Sequence, residues 1–210
     1  GKEVKLTDKG DGKFTFEMPA SKVTVKATFA KVGEQPGISF IDVATGSYYY
    51  DAVEWAVENG VTEGTSATTF SPDASCTRAQ MVTFLWRANG SPKATVANPF
   101  TDVQADAYYY DAVLWAVEKG ITSGTSATTF APDATVTRGQ TVTFLHRANG
   151  SPAVSGSSPF NDVAADAYYT AAVQWAVTEG VTSGTSATTF APDAPCTRAQ
   201  IVTFLYRDMA

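Results

Sequence analysis

Histidine is almost missing from this chain: His146 is the only one among 210 residues. It stands where the other copies of a repeated segment have Trp86 and Tyr206, so it reads as a bundle or helix-surface residue rather than a base. With no partner imidazole near the Ser-rich loops, a nucleophilic triad cannot be assembled. Cysteine is equally scarce, with Cys76 and Cys196 alone. No further Cys or His lies at ligand spacing from either, which leaves a zinc-type metal site nothing to build on. No cofactor is called for. No apolar run approaches the roughly 18 residues of a membrane span, so membrane insertion is not expected. The loop Gly-Thr-Ser-Ala-Thr-Thr-Phe lacks the Gly-Lys-Ser/Thr ending of a phosphate loop. Positive charge is also short where it would matter. Lysines crowd the first 31 residues, and beyond them only Lys93, Lys119 and six arginines remain. That region has no basic stripe of the kind nucleic-acid binding needs.

What the chain has in abundance is itself. Phe40-Ile41-Asp42-Val43 returns as Phe100-Thr101-Asp102-Val103 and as Phe160-Asn161-Asp162-Val163, a period of sixty residues. Trp55, Trp115 and Trp175 keep step, as do Arg78, Arg138 and Arg198. A period of this size marks one supersecondary unit reused. Three related surfaces suit multivalent binding better than a single catalytic pocket, and carboxylates repeated three times suggest scaffold rather than a unique acid–base pair.

Each copy predicts two helices. Tyr49, Ala52, Val53, Ala56 and Val57 fall on one stripe, with Gly60 placed to end the helix. Thr77-Arg78-Ala79-Gln80 has the capping-box wording, Thr at N-cap and Gln three residues on. The helix that follows is apolar nearly all round, which places the three second helices together inside. Asn89-Gly90-Ser91-Pro92 and Asn149-Gly150-Ser151-Pro152 read as helix endings, with a glycosylation acceptor as the competing reading. The expected fold class is therefore mainly α, a pseudo-threefold bundle of helix-loop-helix repeats at 38–93, 94–153 and 154–210, forming one monomeric pseudo-trimer. Ahead of it, residues 1–32 alternate apolar and polar in Phe14–Met18 and Val23–Phe29 with turns at Lys9–Gly12 and Pro19–Ser21, a partial β-repeat module, and 33–37 form a linker. Starting at Gly1 within a strand-like pattern, the sequence reads as the C-terminal part of a longer exported chain.

Phe-x-Asp-Val, Tyr-Tyr-x-x-Ala-Val-x-Trp-Ala, Gly-x-x-x-Gly, Phe-x-Pro and Thr-Arg-Ala-Gln, taken together over about residues 38 to 210, resemble the S-layer homology domain. The stretch 1–32 resembles the end of a β-repeat module of bacterial surface proteins through Phe-Thr-Phe-x-Met-Pro and Val-Thr-Val-x-Ala-x-Phe. The resemblance implies one helix per repeat forming a shaft, loops projecting as prongs, and non-covalent attachment of a secreted protein to the bacterial cell-wall surface. Its implied partner is a secondary cell-wall polysaccharide, often carrying ketal-linked pyruvate, held in grooves between repeats. The usual family wording is Thr-Arg-Ala-Glu; here Gln80, Gln140 and Gln200 take the fourth place, and Gly139 replaces the alanine of the middle copy.

The candidate glycan-binding residues follow. Arg78, Arg138 and Arg198 open the second helices, where a cation is electrostatically misplaced unless an anion comes near. A guanidinium fork beside helix N–H groups suits a carboxylate; the alternative is an internal pair with Asp73, Asp133 or Asp193. Trp55, Trp115 and Trp175, with Tyr49, Tyr109 and Tyr169, offer flat faces to sugar C–H groups or else belong to the core. Asp42, Asp102 and Asp162 accept hydrogen bonds from sugar hydroxyls or cap a loop. Arg87, Arg147 and Arg207, near helix C-termini, read as structural. Cys76 and Cys196 either pair as a disulfide or serve as small hydrophobes, since Val136 fills the matching place. The rival function is a protein-interaction or surface-lattice module without direct glycan binding.

Overall fold

The computed structural model describes residues 38–210 together with Thr7–Asp8 and Phe14–Thr15. The chain divides into two units, Gly1–Gly37 and Ile38–Ala210. In the first, β1 (Thr7–Asp8) pairs antiparallel with β2 (Phe14–Thr15), Thr7 opposite Thr15 and Asp8 opposite Phe14. The turn expected at Lys9–Gly12 lies outside the described residues. The other expected strand, Val23–Phe29, lies outside the described residues.

The second unit is helical. Its elements are α1 (Tyr50–Glu58), α2 (Arg78–Ala88), α3 (Tyr110–Glu118), α4 (Arg138–Ala148), α5 (Thr170–Thr178) and α6 (Arg198–Met209). The capping box forms in all three long helices: Thr77 Oγ1 accepts from Gln80 N at 3.2 Å while Gln80 Oε1 accepts from Thr77 N at 3.0 Å, and copies two and three repeat the exchange. Replacing the family's Glu by Gln therefore keeps the cap. At the other end Asn89 Nδ2 donates to Leu85 O at 2.8 Å and Gly90 takes a positive φ, so the Asn-Gly-Ser triplet ends the helix. No described helix is long and apolar enough to cross a membrane.

The apolar faces decide the assembly. α2, α4 and α6 touch one another, while α3 packs on α2, α5 on α4 and α1 on α6. Each short helix thus leans on the long helix of the preceding copy, and the first copy leans on the last. Phe70, Phe130 and Phe190 are wholly buried in the resulting core.

Hydrogen bonding closes the same ring. A helix begins with N–H groups that have no intrahelical partner, and here the neighbouring copy satisfies them. Arg78 N donates to Ala134 O, Arg138 N to Ala194 O and Arg198 N to Ala74 O, at 2.9 to 3.0 Å. The next residue repeats the pattern, from Ala79 to Pro132 O, Gly139 to Pro192 O and Ala199 to Pro72 O. Nearer the axis Cys76 N donates to Cys196 O, Cys196 N to Val136 O and Val136 N to Cys76 O. Cys76 and Cys196 are free, wholly buried thiols, so the disulfide alternative gives way to the apolar one. With Val136 as third member of the cluster, burial pushes their pKa up to about 12 and about 11 respectively, holding both as neutral thiols.

The single histidine is also accounted for. His146 Nε2 lies 2.9 Å from Pro152 O, repeating the bond from Trp86 Nε1 to Pro92 O at 2.9 Å. A carbonyl only accepts, so Nε2 carries the proton, and the ring packs 5.5 Å from Trp175.

Candidate functional site

The prongs are held by carboxylates. Asp42 accepts from Phe70 N at 2.8 Å and Ser71 N at 2.7 Å, one bond to each oxygen; Asp102 and Asp162 do the same for Phe130–Ala131 and Phe190–Ala191. Ser71, Ala131 and Ala191 have φ of 57 to 59°, a left-handed backbone that side chains other than glycine resist. The clamp holds that turn. Burial acts to raise the pKa of Asp42 and Asp162, but the backbone N–H bonds outweigh it and leave both below the ordinary value. These aspartates cap the loop, the alternative weighed from the sequence, with one backbone bond to each oxygen. Gly64 sits beneath the same prong at φ 89°, and a Cβ there would lie 2.5 Å from both the Phe40 ring and Thr69 O.

The clamped turn delivers the Phe carbonyl to an arginine. Arg198 Nε donates to Phe70 O at 2.7 Å, Arg78 Nε to Phe130 O at 2.9 Å and Arg138 Nε to Phe190 O at 2.8 Å. Each guanidinium lies between two rings: Arg198 is 4.7 and 5.2 Å from the Phe70 and Phe84 centroids, Arg78 4.8 and 5.4 Å from Phe130 and Phe144, Arg138 4.7 and 5.4 Å from Phe190 and Phe204. Only 3 to 4 % of each arginine's surface stays exposed. Two parts of the sequence expectation are thereby corrected. The helix N–H groups meant to share the ligand are spent on neighbouring carbonyls, and the guanidinium is a strut under the groove rather than an open fork. Asp73, Asp133 and Asp193 are exposed while the arginines are buried; the carboxylates that act on Arg78, Arg138 and Arg198 from within are the clamp aspartates Asp102, Asp162 and Asp42.

The strut is incomplete, however. Arg78 Nη2 and Arg138 Nη2 are buried without a hydrogen-bond partner among the described residues. Arg198 Nη2 has only Thr62 Oγ1, at 3.5 Å. Burial lowers the pKa of all three guanidiniums from the ordinary value, as desolvation of a charge must; they stay cationic. A buried donor with no acceptor is costly and asks for a partner.

Above Arg198 opens a groove of about 320 Å³. One wall is the Thr62-Glu63-Gly64 turn, a second is α2 through Gln80, Thr83 and Arg87, and Tyr108 of the next copy stands at the rim. All three copies of the chain therefore contribute to this one site. Arg87 Nη1 donates to Val61 O at 3.4 Å, fixing the turn as a helix-end arginine should, yet it also faces the groove. It was read from sequence as structural alone; its repetition at 147 and 207 on the face that carries the groove was the available signal. The sixty-residue period gives two counterparts, one over Arg78 beside Phe144 and one over Arg138 beside Phe204.

The aromatic candidates separate cleanly. Trp115 and Trp175 are buried and Trp55 is half-buried; Trp55 meets Tyr206 and Trp175 meets His146 across copies, ring centroids 6.0 and 5.5 Å apart, and none of the three lines the groove. Tyr49, Tyr109 and Tyr169 are half-buried against the core. Their neighbours Tyr48, Tyr108 and Tyr168 are 62 to 63 % exposed, and Tyr108 lines the groove. Each stands edge-on to its neighbour at 4.9 to 5.0 Å, which braces the exposed ring.

A ring of three copies, with prongs clamped onto buried arginines and a groove to which all three contribute, makes one tandem-repeat module. The S-layer homology domain family matches residues 39–82, 99–142 and 159–202, and the chain belongs to it. A surface-layer 125 kDa protein of Lysinibacillus sphaericus is 30% identical over 197 residues, covering 92% of this chain and 17% of that protein. An endoglucanase of Bacillus sp. (strain KSM-635) is 37% identical over 109 residues, 52% of this chain and 11% of the enzyme. A cell surface protein of Thermoanaerobacter kivui is 33% identical over 114 residues, 52% of this chain and 15% of that protein. The chain thus spans less than a fifth of each of these relatives.

Proposed function

We propose that this chain attaches the protein that carries it to the bacterial cell wall by holding an acidic wall polysaccharide in its grooves. The observation that supports this reading is the pair of partnerless guanidinium nitrogens, Arg78 Nη2 and Arg138 Nη2, in a fold that satisfies its other interior donors across the ring. A carboxylate on a sugar, such as a ketal-linked pyruvate, supplies the missing acceptor and the counter-charge together. Arg87, Arg147 and Arg207 offer a second cation near each groove, and Tyr48, Tyr108 and Tyr168 present flat faces to the sugar ring. Gln80, Gln140 and Gln200 keep the helix cap without placing a carboxylate beside the bound acid. Each site alone is shallow, so retention on the wall comes from a polymer engaging several grooves, which raises avidity by roughly 10²–10⁴ over one site.

Sedimentation with purified walls tests this. Native protein should pellet with walls stripped of protein and stay in solution with walls stripped of polysaccharide. A variant with Tyr48, Tyr108 and Tyr168 all changed to Ala should lose pelleting while keeping its helical circular dichroism, because those rings are exposed. Undiminished pelleting with polysaccharide-free walls would replace the glycan with a protein receptor.

A further inference from the structure

The three grooves are built from the same parts with one exception. Position 63 in the first prong is Glu; the equivalent positions are Ser123 and Ser183. Glu63 is exposed and lines the groove over Arg198. Resting on the glycan-binding reading, we infer that Glu63 is a specificity residue that sets the first groove apart: the grooves over Arg78 and Arg138 take the carboxylated sugar about ten-fold more tightly than the groove over Arg198 does.

Charge arithmetic carries the ranking. The grooves over Arg78 and Arg138 pair the buried guanidinium with Arg147 or Arg207 and a neutral Ser in the prong. The groove over Arg198 pairs its guanidinium with Arg87, and Glu63 offsets one of the two charges. A like charge across a groove a few ångströms wide weakens a bound carboxylate on the order of ten-fold where solvent still enters. Asp73, Asp133 and Asp193 do not alter the order, since each acts on the groove tyrosine of a different groove (Tyr48, Tyr108 and Tyr168 respectively). The preference is electrostatic, so it should narrow as salt rises.

The arginines themselves report. Their Nε–H groups are buried and hydrogen-bonded at 2.7 to 2.9 Å, which keeps proton exchange slow and makes each a separate ¹⁵N–¹H signal. The intact chain is titrated with a methyl glycoside bearing a ketal-linked pyruvate, and in parallel with the same glycoside lacking it. The Arg78 and Arg138 signals should move together and saturate, with Arg198 following at about ten-fold higher concentration. Glu63→Ser should bring Arg198 level with the others. Ser183→Glu should weaken the response of Arg138 about ten-fold, and the fold already accommodates Glu at the equivalent place. Arg198 moving at or below the concentration that moves the other two overturns the ranking, as does an Arg198 lag that survives Glu63→Ser; both leave glycan binding standing. If no arginine signal responds in any of the three proteins, or if both glycosides act alike, carboxylate binding itself fails.

Discussion

Replacing Arg138 should cost stability before it costs binding, and the size of the loss follows from what the side chain touches. Its Nε bond to Phe190 O, 2.8 Å long, joins the second copy to the third, and its removal leaves a buried carbonyl without a donor. A hydrogen bond from a charged donor is worth about 1.5–3 kcal/mol. The guanidinium also lies 4.7 and 5.4 Å from the Phe190 and Phe204 rings, an arrangement worth about 0.5–2 kcal/mol per desolvated ring. Against these stands the release of a buried, incompletely paired charge, which offsets part of the loss. Arg138→Ala should therefore destabilise by roughly 2–4 kcal/mol, with an empty space between the rings adding to it. Arg138→Met fills that space and removes the charge, so it should cost about 1–2 kcal/mol.

The assay is urea unfolding followed by tryptophan fluorescence, read as a shift in midpoint at constant slope. A loss below about 1 kcal/mol for the Ala variant would refute the strut, since a side chain with these contacts cannot be idle. So would a Met variant less stable than the Ala variant. The Met variant then becomes the proper instrument for the site. It folds, it lacks the guanidinium, and its wall binding can be compared with native protein without confusing a lost ligand contact with a lost fold.

Asp162→Asn removes one of two acceptor oxygens facing Phe190 N and Ala191 N and should destabilise by about 1–3 kcal/mol in the same urea assay. Because Asp42 and Asp162 have pKa values lowered on folding, their contribution is full above the unfolded carboxylate pKa near 4 and fades as pH falls through the lower folded values; thermal midpoints should drop below about pH 4, and Asp162→Asn should drop less. Gly139→Ala should be neutral or gain up to about 1 kcal/mol, since Ala79 and Ala199 hold the equivalent helical positions, although the Tyr169 ring at 3.0 Å from the added Cβ must yield slightly. Deleting residues 154–210 should unfold the remaining copies, seen as loss of helical circular dichroism, because Arg138 N, Gly139 N and Cys76 N lose their acceptors together. Cys76 and Cys196 should react with a thiol reagent only at the rate of unfolding, being buried and neutral; rapid alkylation of native protein would place them elsewhere.

How much of this was legible beforehand depended on whether a residue's role is local. The capping box at Thr77 and Gln80, the glycine after α1 and the all-round apolarity of α2 are set by neighbours in sequence, and each appears where expected. The period says that one unit is reused, and the threefold closure was what the family resemblance implied. What could not be read was direction. Sequence places Arg78 at a helix start but not on which side its long side chain turns, and it turns inward to a carbonyl 52 residues away. Asp42 serves an N–H 28 residues on. The tyrosine pair shows the finest version of the limit: Tyr48 and Tyr49 are chemically alike and adjacent, and only the approach angle into α1 decides which ring meets solvent.

The buried arginines join the two halves of the molecule's behaviour. One nitrogen of each guanidinium closes the ring by binding another copy's Phe carbonyl, and in Arg78 and Arg138 a second is left without a partner among the described residues. On the proposed reading, the donor that takes the ligand is positioned by the same contact that joins the copies, so an isolated repeat would have neither the groove nor the oriented nitrogen. It follows that wall binding and folding should be lost together when a copy is removed, and that ligand should stabilise the whole ring rather than one repeat. Raising glycan to a hundred times its dissociation constant should add about 2.7 kcal/mol per independent occupied groove to the global unfolding free energy. Two full-affinity grooves would give twice that, the ten-fold weaker groove about 1.4 kcal/mol more, and a Glu63→Ser protein three times the single-groove figure, which makes calorimetric unfolding at that glycan concentration a measure of how many grooves bind fully, obtained without reference to any single residue.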